Sequence, residues 1–427
     1  MTEGLADAQG RPTEALTTLY RTWGQGGAGL LITGNVQVDC HHLERAGNVF
    51  IDAPPDRLRS DLLRRWAEAG KANGAKIWMQ LAHAGRQTPI GVNRTPKAPS
   101  AIGTGLPRAR FGMPVALEDA EIGTLIDRFV QAAVIAEAAG FDGVQIHAAH
   151  GYLLSSFLSP LANRRSDQWG GALENRSRML LEIVRRVRRV TSATFSVSVK
   201  LNSADFQRGG FQIEDSVQVA QWLDAAAIDL LEISGGTYEA PRMAGVEVAA
   251  KTPRHARARV ASEARAATAA REAYFQEFAP MMRRSLTHAA LMVTGGFRST
   301  GGMQQALTAD GIDVIGMARP LCSAPDACTH LLSGSLDTLP APETWLRLGP
   351  GVLSPQSRYQ IVKVLNSAAA QAWFCEQLVR LGEGRAPDLR MNLHRTFVTY
   401  LRRDSRKTAE LSRASHLTPT DSRAPTR

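Results

Sequence analysis

Two histidines and a tyrosine follow an apolar run in the middle of the chain. Val144 and Ile146 predict the inward face of a short buried strand, and His147, His150 and Tyr152 come directly after it. Neutral imidazoles can donate hydrogen bonds to a carbonyl oxygen, and a phenol with an ordinary pKa of ~10 can deliver a proton at neutral pH. These residues therefore predict a site that holds a substrate oxygen and supplies a proton.

The same histidines have two other interpretations. His147 and His150 could bind a metal ion if a third ligand converged on them, and His83, at the end of another predicted strand, is the best candidate. The pair does not lie on a clear helix and has no adjacent catalytic glutamate. Purely structural histidines are the remaining alternative. Because Tyr152 adds a proton donor, we favour oxygen binding and predict no metal site.

Glycines near the end of the apolar pattern predict a phosphate site. Gly295 and Gly296 follow one apolar run, with a short helix beginning near Thr300, and Gly316 and Arg319 follow the next run. Backbone N–H groups at a helix start and the guanidinium fork of arginine both bind phosphate. Tight turns are the alternative explanation for the glycines. If the two runs are adjacent barrel strands, their loops converge on one phosphate.

Gln80 and Lys200 lie near the ends of predicted strands over residues 76–81 and 195–201. Both would point into the mouth of a barrel, although either could be a hydrogen-bonded core residue. A lysine at a barrel mouth can also form a Schiff base with a carbonyl compound. A Schiff-base enzyme that uses Lys200 is therefore the main rival prediction.

A repeated helix–strand pattern must position these residues. Apolar runs that alternate with amphipathic helices predict a parallel sheet covered by helices, and the absence of G-x-G-x-x-G after an early strand favours a closed barrel over a Rossmann sheet. We predict a (β/α)8 TIM barrel whose first strand is largely missing and survives only as Met1 and Thr2. The predicted helices cover residues 12–27, 56–73, 119–140, 173–190, 214–227, 268–287 and 302–309, and the other strands end near residues 33, 81, 148, 201, 234, 294 and 317.

The barrel is expected to occupy residues 1–340, followed by a helical C-terminal extension over 341–412 and a disordered tail over 413–427. The proline-rich segment 87–118 predicts a long loop that forms a lid or a binding edge. An arginine- and alanine-rich insertion at 256–267 has no evident role.

Composition excludes several classes of protein. The chain is 44% hydrophobic and 21% charged, it lacks an apolar run near the ~20 residues that span a membrane, and it shows no signal peptide, so we expect a cytoplasmic protein. Its net charge of +10 comes from arginines without a nucleic-acid-binding motif, which predicts solvated helix faces. The four cysteines form no C-x-x-C pair and predict free thiols; they are Cys40, Cys322, Cys328 and Cys375.

Three segments together resemble the old yellow enzyme family of flavin-dependent ene-reductases. They are IWMQLAHAGR (77–86), HAAHGYL (147–153) and FLSPLANRRSDQWGG (157–171), with ENR (174–176) after them. The resemblance runs from Met1 to about Pro340, and the tail resembles the longer bacterial and fungal NADH:flavin oxidoreductase branch. It implies a (β/α)8 barrel that holds FMN at its carboxyl-terminal mouth.

The resemblance also implies roles for single residues. Gln80 would bond the pyrimidine edge of FMN, the backbone of Gly34 would face the ring, and the hydroxyl of Thr2 would tune flavin O4. Lys200 falls where most members have an arginine near flavin N1 and O2. The phosphate would be held by Gly295, Gly296, Ala318 and Arg319.

His147 and His150 would bind the carbonyl or nitro oxygen of the substrate, and Tyr152 would be the proton donor. NAD(P)H would reduce FMN, and an enone, enal or nitroalkene would then take a hydride at its β carbon and a proton at its α carbon. The expected partner is this small molecule, without nucleic acid or membrane, and a homo-oligomer is compatible with the reading. A flavin-binding protein with impaired turnover, caused by the shortened first strand, is the other alternative.

Overall fold

The computed structural model describes residues 2–106, 110–235 and 278–417, so the predicted insertion at 256–267 and the first half of the helix predicted at 268–287 lie outside the described residues. The strands in the described part are β1 (Leu30–Ile32), β2 (Val36–Gln37), β3 (Lys76–Ala82), β4 (Lys97–Ala98), β5 (Val115–Ala116), β6 (Gly143–Ala148), β7 (Ser196–Asn202), β8 (Leu230–Ser234), β9 (Ala290–Thr294) and β10 (Val314–Gly316).

The main sheet is parallel and follows the order β1-β3-β6-β7-β8-β9-β10, with β2 pairing further along β3. Residues 2–13 form no strand, and Met1, the other residue of the predicted strand remnant, lies outside the described residues. In the described part of the chain, β1 and β10 are not hydrogen-bonded to each other, but Ile32 and Val314 pack into one cluster with Trp78 and Met292. The sheet therefore curls into an α/β barrel whose first and last strands converge.

Helices cover the outside of this barrel, and their predicted positions are confirmed within a few residues wherever they are described. Thr13 caps the first helix by accepting the N–H of Leu16, as expected for a residue with a short polar side chain at this position. The helices with both ends in the described ranges are α1 (Glu14–Gln25), α2 (Arg57–Gly70), α3 (Asp119–Ala138), α4 (Leu153–Leu158), α5 (Leu173–Val190), α6 (Ile213–Ala225), α7 (Thr300–Ala309), α8 (Arg319–Ser323), α9 (Ala327–Leu332), α10 (Gln360–Gly382) and α11 (Leu393–Leu417). Residues 278–285 are also helical.

The inward face of β6 is the opposite of the one that the sequence predicts. Val144 and Ile146 belong to the large core cluster under the helices, whereas Gln145, between them, makes hydrogen bonds across the barrel interior. Both faces of a barrel strand are buried, so an apolar side chain does not reveal which face it is on. In this barrel the apolar residues of β6 face the helices.

The proline-rich segment 87–118 is more ordered than a plain loop. Its short strands β4 and β5 pair in parallel, and Phe111 and Leu117 are buried. Arg165 ties the segment to the barrel because its Nη1 donates to the carbonyl oxygens of Pro99 (3.1 Å) and Leu117 (2.5 Å).

The C-terminal helices return to the amino-terminal segment. Helix α10 packs against α1 and α8, and α11 packs against α10. Lys407 Nζ donates to the carbonyl oxygen of Ala6 at 2.9 Å, and Arg45 Nη2 lies 3.6 Å from Asp404 Oδ1. Helix α11 continues past residue 412, where the sequence placed the start of the tail, and residues 418–427 lie outside the described residues.

No helix in the described ranges is long and apolar enough to cross a membrane. The four cysteines are free thiols, and Cys322 and Cys375 are buried.

Candidate functional site

Inward-facing side chains divide the barrel interior into an apolar end and a polar end. At the amino-terminal ends of the strands, Trp78, Leu230 and Met292 form a small apolar cluster. Polar side chains follow toward the carboxyl-terminal ends, and strand register aligns them: Gln80 pairs with Gln145. The polar side chains of the interior therefore lie at the end of the barrel where α/β barrels have their active sites.

Four side chains from four adjacent strands form a continuous hydrogen-bonded row across this polar end. Gln80 Nε2 donates to Gln145 Oε1 at 2.5 Å, and Gln145 Nε2 donates to Glu232 Oε2 at 2.9 Å. Lys200 Nζ lies 2.8 Å from Glu232 Oε1. Gln80 and Lys200, both predicted as site residues, are thus brought into one row by Gln145 and Glu232.

The surroundings of Glu232 in this row favour its ionised form. Burial alone would raise the pKa of Glu232, but the charge and hydrogen bond of Lys200, together with hydrogen bonds from Thr294 and Gln145, hold that pKa below its ordinary value. The side chain of Lys200 is only 13% exposed and that of Glu232 only 3%. The barrel mouth therefore contains a fixed cation that is paired with a fixed anion.

His147 is a neutral hydrogen-bond donor at the end of β6. The backbone N–H of Ala149 donates to its Nδ1 at 3.2 Å, so Nδ1 carries a lone pair and the proton is on Nε2. Burial, and then repulsion from His150 and Lys200, hold the pKa of His147 well below its ordinary value. His147 can therefore donate one N–H at neutral pH without adding a charge.

His150 is held by the ends of two neighbouring strands. Its backbone N–H donates to Asn202 Oδ1 at 3.1 Å, and its Nε2 lies 2.6 Å from Ser234 Oγ. The backbone has a φ of 63°, a left-handed conformation that is uncommon for residues other than glycine and is often found at functional sites. Burial, and then the charge of Lys200, lower the pKa of His150 well below its ordinary value.

The predicted trio is close together. The ring centres of His147 and His150 are 5.1 Å apart and cross at 74°, and those of His147 and Tyr152 are 5.0 Å apart and cross at 86°. Tyr152 is buried at the start of α4, where the backbone N–H of Leu153 donates to the carbonyl oxygen of His83 at 3.0 Å. The arrangement can hold one oxygen between two imidazoles with a phenol nearby.

His83 does not join His147 and His150 as a metal ligand. In the described ranges, the one convergent group of potential ligands is Asp39, His42 and His83. The backbone N–H groups of Lys97 and Gly85 donate to His42 Nε2 (2.9 Å) and His83 Nδ1 (3.1 Å), so each ring carries its proton on the nitrogen that faces Asp39.

Those two nitrogens lie 3.1 Å and 3.7 Å from Asp39 Oδ2, and Arg128 Nη1 lies 2.9 Å from the same oxygen. A nitrogen that already carries a proton has no lone pair for a metal. Burial alone would raise the pKa of Asp39, but the two histidines hold it well below its ordinary value. We call Asp39, His42, His83 and Arg128 the Asp39 cluster; the contacts within it are ion-pair contacts to Asp39 Oδ2.

The predicted phosphate residues lie on two adjacent loops. Gly295 (φ 111°) and Gly296 (φ 86°) adopt backbone conformations that favour glycine, after β9. The N–H of Gly295 donates to the carbonyl oxygen of Gly316 at 3.2 Å, so that amide joins the two loops and does not face an anion. Ala318 is the N-cap of α8, directly before Arg319.

Arg319 has an acidic neighbour that the sequence analysis missed. Its Nη1 lies 3.9 Å from Glu343 Oε1, and the same oxygen contacts Arg298 Nη2 at 2.5 Å. Glu343 follows the barrel in the chain, and neither its spacing nor a motif connects it to the phosphate loops. Only the fold brings it there.

Gly34 and Thr2 lie where the amino-terminal segment meets the barrel mouth. Gly34 N–H donates to Glu3 Oε1 at 2.9 Å, and that oxygen also accepts the hydroxyl of Tyr20. A Cβ on Gly34 would lie 2.1 Å from Glu3 Oε2, so only glycine fits without rearrangement. Thr2 is buried. The predicted role of Gly34 toward a ring therefore has a competing one, as the contact point for Glu3.

Comparison with known sequences finds relatives of this chain. A model of the NADH:flavin oxidoreductase / NADH oxidase family matches residues 1–337. The chain is 35% identical over 394 residues to the NADH-dependent flavin oxidoreductase nadA of Aspergillus parasiticus, covering 90% of this chain and 80% of the fungal protein. It is 38% identical over 244 residues to the NADH oxidase of Thermoanaerobacter brockii, of which the match covers 36%.

The fold is also similar to solved structures. The old yellow enzyme homologue of Zymomonas mobilis superimposes with a TM-score of 0.63 at 26% identity, covering 82% of this chain and 91% of that protein. The curled sheet and the matched sequence point to the same group of oxidoreductases. The chain belongs to the NADH:flavin oxidoreductase / NADH oxidase family.

Proposed function

We propose that the protein reduces the activated C=C bond of an enone, enal or nitroalkene, with His147 and His150 holding the substrate oxygen and Tyr152 supplying the proton. The observation that carries this proposal is the pair of buried, neutral imidazoles beside the phenol ring. Two neutral N–H donors that converge on an oxygen stabilise the negative charge that develops there when the β carbon accepts a hydride.

The residues present fit FMN, the cofactor of this family, with NAD(P)H as the reductant. The edge of the flavin pyrimidine ring offers an N–H between two carbonyl oxygens. At the two ends of the row, Gln80 offers its side-chain amide and Lys200 offers an ammonium group that donates hydrogen bonds. Arg319 and the loops at Gly296 and Ala318 would hold the phosphate. When bound, FMN supplies hydride transfer between NAD(P)H and the alkene.

The protein's own residues then have separate tasks. His147 can donate its Nε2 proton to the substrate oxygen because its Nδ1 accepts the backbone N–H of Ala149. Ser234 and Asn202 hold His150 by its ring and its backbone, which fixes the direction of its free ring nitrogen. Tyr152 donates its hydroxyl proton to the α carbon, and general acids of this kind contribute roughly 10²–10⁴ to a rate.

A Schiff-base reaction at Lys200 has less support. Its ammonium is paired with Glu232 at 2.8 Å in a buried site, and a protonated amine has no lone pair with which to attack a carbonyl. Borohydride trapping with a carbonyl substrate would label Lys200 if this rival were correct.

The test compares the two half-reactions in a Tyr152→Phe variant. We expect reduction of the bound flavin by NADH to proceed at close to the wild-type rate, while oxidation by cyclohexenone slows by roughly 10²–10⁴. Stopped-flow absorbance follows each step separately. Tyr359→Phe, which changes an exposed tyrosine in the C-terminal extension, is the matched control. An unchanged rate with cyclohexenone in the Tyr152 variant would remove Tyr152 from the mechanism.

A further inference from the structure

Glu232 is a buried carboxylate at the barrel mouth to which the proposed reaction gives no task. It is 2% exposed, and its two oxygens are used separately: Oε1 by Lys200 and Oε2 by Gln145. A buried acid is retained at a cost in desolvation. Its position in β8, in register with Lys200 in β7, connects it to both predicted ligands of the flavin ring edge.

The charge of Glu232 determines which way two amides turn. An ionised carboxylate only accepts hydrogen bonds, so Gln145 must direct its NH2 group toward Glu232 and its oxygen toward Gln80. That oxygen can only accept, so Gln80 must in turn direct its NH2 group toward Gln145. The carbonyl oxygen of Gln80 is then the end of the amide that points away from Gln145.

The row therefore has a fixed polarity at its two ends. Gln80 presents an amide whose oxygen accepts a hydrogen bond, and Lys200 presents a cation that donates one. This pattern suits a ligand edge that has an N–H next to a carbonyl oxygen. At the same time Glu232 offsets the charge of Lys200, so the site offers this acceptor and this donor without a strong net positive field.

We propose that Glu232 is a positioning residue that sets the hydrogen-bond polarity of Gln145 and Gln80 and, by pairing with Lys200, limits how strongly the site prefers reduced, anionic FMN over oxidised FMN. The inference rests on the proposed placement of the flavin ring edge above Gln80 and Lys200. Glu232 acts through these two residues and does not itself contact the cofactor or the substrate.

The experiment measures the dissociation constants of oxidised and reduced FMN by anaerobic fluorescence titration, and the midpoint potential of the holoenzyme with a reference dye. Glu232→Gln keeps the shape and removes the charge. We expect the ratio of the oxidised to the reduced constant to rise tenfold or more, which for a two-electron couple is a positive shift of about 30 mV.

Three further variants make the result specific. Ser198→Ala removes a neutral 3.3 Å hydrogen bond to the same Gln145 and should leave the ratio within twofold of wild type. Glu232→Asp keeps the charge and should stay close to wild type. The double variant Lys200→Met/Glu232→Gln has no charge on either residue and should return toward the wild-type ratio, and it replaces the single variant if that one does not fold.

Two outcomes separate the inference from the proposal on which it rests. If Lys200→Met changes neither FMN constant nor the potential, the flavin edge is not over this row and the proposed placement is wrong. If Lys200→Met lowers the potential while Glu232→Gln leaves the ratio within twofold of wild type, the placement stands and the role of Glu232 is overturned.

Discussion

Acid is expected to destabilise the protein through His83, at the centre of the Asp39 cluster. The side chain of His83 is 0% exposed. Burial, and then repulsion from His42, lower its pKa to about 4, although Asp39 partly opposes them. A pKa about 2.5 below the ordinary value of 6.5, at 1.36 kcal/mol per pKa unit, corresponds to about 3 kcal/mol.

The sign follows from which state binds the proton. Between pH 6.5 and 4 the unfolded chain protonates this histidine and the folded protein does not, so protons favour unfolding. The contribution is complete above about pH 6.5 and is lost as the pH falls toward 4.

The assay is urea unfolding at a series of pH values between about 7 and 4, followed by circular dichroism, for wild type and His83→Gln. Glutamine keeps a polar side chain beside Asp39 but does not titrate. We expect the wild type to lose about 3 kcal/mol more than the variant across this range. His394→Gln, on an exposed part of α11, controls for replacing a histidine. Equal pH dependence in wild type and the His83 variant would refute the reasoning.

Two further substitutions test the geometry of the mouth. Ser234→Ala removes the 2.6 Å contact that orients the ring of His150, and we expect the KM for cyclohexenone to rise roughly tenfold, equivalent to about 1.4 kcal/mol, with a smaller change in kcat. Steady-state kinetics measures both constants, and an unchanged KM would contradict the role of Ser234. Gly34→Ala places a Cβ 2.1 Å from Glu3 Oε2, so the Glu3 carboxylate must move away from Gly34 and Tyr20. We expect the unfolding free energy, measured by urea denaturation, to fall by roughly 1–3 kcal/mol. A variant as stable as wild type would show that Glu3 moves at no cost.

Sequence periodicity predicted the elements of the barrel well because each helix buries one face against the sheet. Helix α5 begins and ends at the predicted residues 173–190, and the strand over 76–81 differs from β3 only by Ala82 at its end. Motifs at strand ends also predicted which residues meet: His147, His150 and Tyr152 are local in sequence, so a single turn brings them together.

Contacts between distant parts of the chain could not be predicted in this way. Glu3 and Tyr20 meet at Gly34 only after the first helix packs on the barrel, and Glu343 reaches Arg319 from beyond the last strand. No local spacing encodes such contacts. The resemblance gave Gly34 and Arg319 roles toward the cofactor, and it could not give the acidic side chains that the fold places beside them.

The polar row at the barrel mouth could be predicted only in part. Its polar residues are visible in the sequence, but their pairing follows only once the register of the strands is known. Gln145 and Glu232 each interrupt an apolar strand at an inward position. The sequence analysis did not predict them as site residues, because both faces of a barrel strand are buried and the strand looks apolar throughout. Once the strands are aligned, Gln80 faces Gln145 and Lys200 faces Glu232. A lone polar residue in a buried strand needs a partner, so four such residues on neighbouring strands predict a shared hydrogen-bonded row. In the proposed role, the charge of Glu232 orders that row. Gln80 and Lys200, which the sequence analysis identified, then depend on Glu232, which it did not identify.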